Sequence, residues 1–393
     1  MGGNKVGKVK VAFLSTYPPR ECGIATFTQD LLRELNKTKT VEAGVVALSD
    51  GEYDYGREVL FEIRQQDRRD YAAAAEKLNG FDLDLLVVEH EYGIYGGEWG
   101  SFLLDLVEGV KLPVVVTLHT TLSAPNQLQR DILQKICQRS EATVVMAQNT
   151  VPLLSDVYSV DREKIVVIHH GVPRMNLPSR EELKREAGLE GRTVVSTFGL
   201  LSPGKGIEYG IRAIGQVAEK HRDILYLILG QTHPVIKRQY GEEYREQLEE
   251  LVDELGLKNH VQFVNRYLSK ADIMRYLKLS DIYLTPYLGK EQAVSGTLAY
   301  AVGCGRVIVS TPYAYAEEML ADGRGLLAEF KDSDSIAKQI QFLLDNPQER
   351  KKMEEKTQRL GEEMFWDSVA KRYAELFQSV KERYSQDGEI KSA

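Results

Sequence analysis

The sequence predicts an α/β protein made of two successive doubly wound parallel sheets. Three observations predict it. Continuous Val/Ile/Leu runs of strand length recur along the chain, a helix-spaced segment follows many of them, and the series starts afresh near residue 193. Unbroken apolar runs fit parallel strands covered on both faces, and strands alternating with helical patterns indicate βαβ units.

The first series opens with Val9–Leu14 (VKVAFL), followed by helical spacing over Thr26–Leu35, where Phe27, Leu31, Leu32 and Leu35 share one side. Gly44–Leu48, Leu83–Val88, Pro113–Leu118, Thr143–Ala147 and Ile165–His169 continue it. The second series runs through Thr193–Phe198, a helix over Gly206–Ala218, and the strand Ile224–Gly230. One long helix is predicted from about Lys237 to Leu255, on the spacing of Tyr244, Leu248, Leu251 and Leu255. His260–Val264, Ile282–Thr285, Arg306–Ser310 and Gly325–Ala328 complete the strands. The break between the halves falls near Pro173–Ser179, a short proline-bearing stretch. From about Gln348 to Tyr384 the chain reads as two charged amphipathic helices interrupted near Phe365–Asp367.

Bulk properties narrow the class. A chain of 393 residues holds two or three domains, and 43% hydrophobic with 27% charged residues is ordinary globular composition. The net charge of −8 argues against nucleic acid as a partner, because phosphate backbones want a basic surface. Cys22, Cys137 and Cys304 form no CxxC pair, so reduced thiols in a cytoplasmic protein are expected, with neither a disulfide framework nor a zinc site. Met1–Lys10 lacks the apolar core of a signal peptide, and no apolar run approaches the roughly 20 residues that span a bilayer. Lys135 and Arg139 share a helix with Asp131, which reads as a solvated face more than a membrane-docking one.

Ligands of open α/β sheets sit beyond the carboxyl ends of the strands, so the loops there carry the chemistry. The first is Thr16–Thr26, where Gly23 precedes a helix and leaves its N-terminal amides open to an anion. The second is Phe198–Gly206, where Gly199, Gly204 and Gly206 surround Lys205, a suitable phosphate clamp at a helix start. An ordinary tight turn is the alternative for each. In Tyr287–Thr297, Ser295 caps a helix whose first amides, near Gly296 and Thr297, suit the same anion; a plain capped helix is the alternative. His119, His169 and His170 end strands and so are expected to point toward the mouth of the site; a structural histidine is the alternative for each. Glu89–Gly97 carries Glu89, His90, Glu91, Tyr92 and Tyr95 among glycines, groups suited to pairing sugar hydroxyls and stacking on a sugar face. A polar loop with a tight turn is the alternative there.

Taken in order, PPRECGIATFTQDLLREL, PVVVTLH, VIHHGV, GLLSPGKG, SDIYLTP, LAYAVGCGRVIVST and EEMLADGRGLL resemble the retaining glycosyltransferases of family 4 over nearly the whole chain. The resemblance implies the GT-B fold, two Rossmann-like doubly wound domains facing across a cleft. It implies an N-terminal acceptor domain at 1–172, a nucleotide-sugar donor domain at 173–365, and a last helix at 366–393 that crosses back to the N-terminal domain. The implied activity moves a hexosyl group from a nucleotide-diphosphate sugar to an acceptor hydroxyl on a glycan, lipid or small molecule. The donor is a co-substrate, no cofactor or metal is implied, and peripheral membrane contact is compatible with the class.

By position, the resemblance places Lys205 on the diphosphate with the amides near Ser295–Thr297, Gly23 bordering the same phosphates, and His119 on the donor sugar. Three departures set this chain apart as a divergent member. The family's phosphate arginine is replaced by Leu200, leaving Arg306, Arg266 and Arg20 as candidates for that contact. Its two glutamates, separated by seven residues, fall on Gln292 and Tyr300. Gln292 still hydrogen-bonds sugar hydroxyls without a charge, whereas Tyr300 cannot grip a ribose with two oxygens. The same losses suit a glycoside phosphorylase on this fold, and a non-catalytic sugar- or nucleotide-binding module is the third reading.

Overall fold

A computed structural model describes residues 7–392, so residues 1–6 of the N-terminal stretch read above lie outside the described part. The chain divides into two compact units. Unit 1 comprises the residues up to Gly171 with those from Trp366 on, and unit 2 is Val172–Phe365.

Unit 1 holds a seven-stranded parallel sheet in the order β3-β2-β1-β4-β5-β6-β7. Its strands are β1 (Val9–Ser15), β2 (Val41–Ser49), β3 (Val59–Arg64), β4 (Leu85–His90), β5 (Val114–Leu118), β6 (Ala142–Val145) and β7 (Ile165–Val167). β1, β4 and β5 are buried along nearly their whole length, as their unbroken apolar sequences require. β3 is the edge strand absent from the sequence reading. Its residues alternate between partly buried and exposed, so it has no continuous apolar run to betray it. His169 and His170 lie beyond the end of β7 rather than on it.

Helix Gly23–Lys37 and the final helix, Trp366–Ser392, pack together beside β1. Phe377 meets Phe13 at 6.2 Å, Trp366 meets Phe27 at 5.0 Å, and the hydroxyls of Tyr373 and Thr117 lie 3.2 Å apart. Gly171 is a glycine because a Cβ there would stand 2.1 Å from the Trp366 ring.

Unit 2 holds a six-stranded parallel sheet in the order β10-β9-β8-β11-β12-β13. The strands are β8 (Thr193–Phe198), β9 (Ile224–Leu229), β10 (Val261–Val264), β11 (Ile282–Thr285), β12 (Val307–Ser310) and β13 (Gly325–Leu327). The long helix expected from Lys237 to Leu255 is in fact two, Pro234–Tyr240 and Glu243–Glu254. Gly241 breaks it with φ +63, a left-handed conformation that the 3.6-residue spacing of its neighbours cannot reveal. The C-terminal pair of helices is interrupted at Phe365, whose φ and ψ are extended.

Strand order reverses direction between β1 and β4 in unit 1 and between β8 and β11 in unit 2. These are the topological switch points where diverging loops leave a crevice at the carboxyl edge. Among the described residues, no helix is long and apolar enough to cross a membrane, and the three cysteines are free.

Candidate active site

In unit 2 the switch point gathers three segments that are separate in sequence. The loop after β8 and the loop after β11 touch directly. A Cβ on Gly206 (φ +61) would lie 2.1 Å from the Pro286 carbonyl, and Leu288 N–H donates to the Gly204 carbonyl at 3.0 Å. Only glycine fits at 206. Lys205, on the single turn Pro203–Lys205, holds its ammonium 3.9 Å above the Tyr287 ring. The Tyr287 hydroxyl and the Thr297 hydroxyl lie 2.7 Å apart, and Ser295 Oγ is 3.1 Å from the same Thr297 oxygen. Ser295 caps helix Gly296–Gly303 by accepting from Leu298 N–H at 3.3 Å. Gly199 closes the group: a Cβ there would be 3.4 Å from Thr297 Cγ2 and 3.7 Å from Lys205 Nζ.

Lys205, Gly199, Ser295, Gly296 and Thr297 thus form one cluster, with Gly204 on its open rim. Among the described residues no carboxylate pairs with Lys205, whose recorded partner is the Tyr287 face. An ammonium unmatched by any acid, beside a capped helix N-terminus, is a place for an anion. Tyr287 was missed by the sequence reading; its signal was an aromatic two residues past a strand end.

Other expected donor residues are engaged as follows. Gln292 turns its amide onto the Val294 carbonyl at 3.1 Å, and half-buried Tyr300 lies edge-on to Phe198 at 6.2 Å. Arg266 follows β10, two strands from β8, and is tied to Asp272 at 2.9 Å in a small surface groove. Arg306 precedes β12, at the opposite end of the sheet from the Lys205 loop. It is spent on the backbone carbonyls of Ser280 (3.0 Å) and Cys304 (3.2 Å). Burial, and then the nearby Arg180 charge, hold its pKa down at about 10. Arg20 belongs to unit 1, where it is bound to the Leu48 carbonyl at 3.0 Å and to Asp50 at 3.3 Å. Neither Arg266 nor Arg306 therefore joins the cluster.

In unit 1 the equivalent edge is organised around a histidine. His119 follows β5, and its Nε2 lies 2.8 Å from the wholly buried carboxylate of Glu89 at the end of β4. The other Glu89 oxygen, Oε1, is buried without a hydrogen-bond partner. Phe27 packs edge-on against the imidazole at 4.8 Å, leaving the side chain 12% exposed. With Nε2–H donating to a carboxylate, the ring offers Nδ1 as its free acceptor. Gly23 opens helix Gly23–Lys37, and nothing stands within 4 Å of where its Cβ would be.

The sugar-binding reading of Glu89–Gly97 needs correction. His90, Tyr92 and Tyr95 point into the core, not outward. Tyr95 donates to the Glu89 carbonyl at 2.8 Å, Tyr92 to the Gln129 carbonyl at 3.3 Å, and burial pushes His90 down to about 3. The reason is the glycines: a Cβ on Gly96 would stand 1.9 Å from the Gln65 carbonyl, so this loop is drawn against the chain beyond β3. Glu91 alone of the five is neither fully buried nor in the core, and it accepts a hydrogen bond from the Thr120 hydroxyl. His170 is partly buried, with desolvation lowering its pKa to about 4, and His169 bonds the Met146 carbonyl at 3.2 Å.

What unit 1 does carry is a polar pocket of about 890 Å³, lined by Arg20, Ser49, Asp50, Arg64, Gln65 and Arg69 among others. It sits at the carboxyl ends of β2 and β3 and beside the loop after β1. Its lining comes from four distant segments and follows no motif, which is why sequence reasoning missed it.

Two Rossmann-like units, each a parallel sheet with a switch point at its carboxyl edge, are the architecture of the GT-B fold. Comparison with known proteins agrees. Residues 22–174 match the model described as Glycosyltransferase Family 4, and residues 179–360 match that of Glycosyl transferases group 1. The chain belongs to the family 4 glycosyltransferases of GT-B fold.

Spore coat protein SA of Bacillus subtilis is 22% identical over 67% of this chain and 72% of its own length. The D-inositol 3-phosphate glycosyltransferase of Corynebacterium glutamicum is 24% identical over 76% of this chain and 74% of its own. Among solved structures, a glycosyltransferase from Rickettsia africae superposes with TM-score 0.74 at 16% identity, covering 95% of this chain and 98% of that one. Anabaena HepE in complex with UDP and glucose superposes with TM-score 0.72 at 17% identity, covering 94% and 100%.

Proposed function

We propose that this glycosyltransferase uses a nucleoside-diphosphate hexose as donor, holds its diphosphate at the Lys205 cluster of unit 2, and transfers the sugar with retention to a hydroxyl of an acceptor bound by unit 1. The observation that carries the reading is Lys205 itself, an ammonium with no acidic partner among the described residues, beside the capped N-terminus of helix Gly296–Gly303. Such groups are worth most where charge develops, on the leaving diphosphate, and this reading calls on no metal for that task. The solved relative HepE, which holds UDP and glucose, supports the choice of donor class.

In this reading the leaving phosphate takes the proton of the acceptor hydroxyl on one face of the sugar, so the chain supplies no nucleophile. His119, its Nε2 anchored by Glu89, offers Nδ1 to a sugar hydroxyl. The pocket of Arg20, Gln65 and their neighbours takes the acceptor, its mixture of paired guanidinium, carboxylate and amide groups suiting a polyhydroxylated molecule. The test is a screen of nucleotide sugars for hydrolysis and for thermal stabilisation by the matching diphosphate. A response to one nucleotide, abolished by Lys205→Ala, is expected. No response to any of the common ones at saturation contradicts the reading.

A further inference from the structure

Behind the Lys205 loop lies a buried cation that the scheme above leaves unused. The turns after β8 and β9 are stacked on each other. Gly199 and Gly230 have φ +134 and +133, and a Cβ on Gly230 would lie 2.1 Å from the Gly199 carbonyl oxygen. Beyond them the two loops stay joined, with Leu201 N–H donating to the Gln231 carbonyl and His233 N–H to the Leu201 carbonyl, each at 2.9 Å. Arg245, from helix Glu243–Glu254, is 3% exposed and donates from Nη2 to the Gly230 carbonyl at 2.8 Å. Its Nε and Nη1 are buried without hydrogen-bond partners. Glu242 stands 3.5 Å from Nε, while also pairing with Lys237 at 2.8 Å and accepting from the Thr232 hydroxyl. The left-handed break at Gly241 separates the two helices just before Glu242.

A buried guanidinium with donors left over is costly, since each unmet donor forfeits its hydration. What it does here follows from peptide geometry. In a trans peptide the carbonyl and the next N–H point in opposite directions. With the Gly230 carbonyl drawn to Arg245, the Gln231 N–H faces away from it. Among the described residues that N–H has no hydrogen-bond partner.

We propose that Arg245 is a positioning residue of the donor site, which fixes and polarises the Gly230–Gln231 peptide so that the Gln231 N–H is presented to the donor's diphosphate. A charge-assisted bond on one end of a peptide strengthens the donor at the other. The proposal rests on the diphosphate lying at the Lys205 loop.

The test is calorimetric titration of the folded full chain with whichever of UDP, GDP and ADP stabilises it most, and separately with the nucleoside of the same base. Arg245→Met weakens diphosphate binding by about tenfold and nucleoside binding by less than about twofold, the former equivalent to one lost charged contact. Arg245→Lys, which keeps the charge, stays within about threefold of wild type for the diphosphate. Equal loss of diphosphate and nucleoside marks a merely structural arginine and overturns the proposal, as does a wild-type diphosphate affinity in Arg245→Met. Should Arg245→Met not fold, Glu242→Gln carries the test. It keeps the acceptor for Thr232 and removes the counter-charge, so diphosphate affinity equals or exceeds that of wild type, and a fall beyond about twofold overturns the proposal. If wild type binds none of the three diphosphates, the donor reading itself fails first.

Discussion

The two units repeat one architecture, a parallel sheet with a switch point at its centre, yet they treat charge there in opposite ways. In unit 2 the switch point carries a lysine that no acid neutralises among the described residues, set against a tyrosine face and a helix N-terminus. In unit 1 the charges near the carboxyl edge are matched. Arg20 meets Asp50 and Arg64 meets Asp67 and Asp70, while Glu89 is held by its hydrogen bond to His119. In the proposed function, unit 2 accordingly receives a charge, and unit 1 orients hydroxyls with groups already held in place. The fold alone does not make that distinction; the side chains at one pair of loop ends do.

The sharpest way to break the comparison is Lys205→Ala. Removing this cation should lower turnover of the nucleotide sugar by about 10²–10³-fold, as loss of a preorganised transition-state contact does. Steady-state kinetics on the donor found by screening checks it, and a loss below tenfold would place the charge stabilisation elsewhere.

Next in size is Glu89→Gln. It keeps the shape of the buried side chain and removes the charge that orders His119. Loss of a charge-assisted hydrogen bond of about 1.5–3 kcal/mol predicts a ten- to hundredfold fall in turnover. Diphosphate affinity, which the proposed function assigns to unit 2, is expected to be unchanged. A drop in both would dissolve the division of labour between the units.

The third prediction concerns acid. His90 and His170 have folded pKa values lowered by burial to about 3 and about 4, from the ordinary 6.5. Between those values and 6.5 the unfolded chain binds protons that the folded chain refuses. Stability therefore falls as pH drops below 6.5, and continues to fall until the folded pKa values are reached. At pH 5 the loss is on the order of 2 kcal/mol for each histidine. Both belong to unit 1, so thermal melts at pH 7 and pH 5 should show a transition that moves down, with less movement in His90→Gln. Melts that coincide at the two pH values count against burial of neutral histidines.

The smallest effect is that of Ser295→Ala, which removes the cap of helix Gly296–Gly303. About 1 kcal/mol of stability should go, together with a modest part of the diphosphate affinity, both readable in one thermal-shift series. An unchanged melting point would mean that the cap is idle.

How much of this was legible in the sequence differs between the units for a physical reason. The strands that showed are those with unbroken apolar runs, most of them buried along their length; β3, an edge strand exposed on alternate residues, did not show. The unit 2 cluster was legible because Gly199 and Lys205 follow the end of β8 and Ser295 and Thr297 open the helix that follows β11, and topology brings those two connections together. Unit 1 was misread at Tyr92 and Tyr95 because a polar, glycine-rich stretch after a strand looks like an open loop. The close approach of Gly96 to Gln65, 31 positions earlier in the chain and invisible in local pattern, turns it inward. Arg245 and the pocket around Arg20 depend on equally distant contacts, and no motif marks either one.

The central claim is that the diphosphate of the donor lies on the Lys205 cluster. Calorimetric titration of wild type and Lys205→Ala with the nucleoside diphosphate that stabilises the protein most tests it directly. The account predicts binding to wild type and a loss of at least about tenfold in the variant, with the nucleoside of the same base bound equally by both. Equal diphosphate affinity in the two proteins would contradict it.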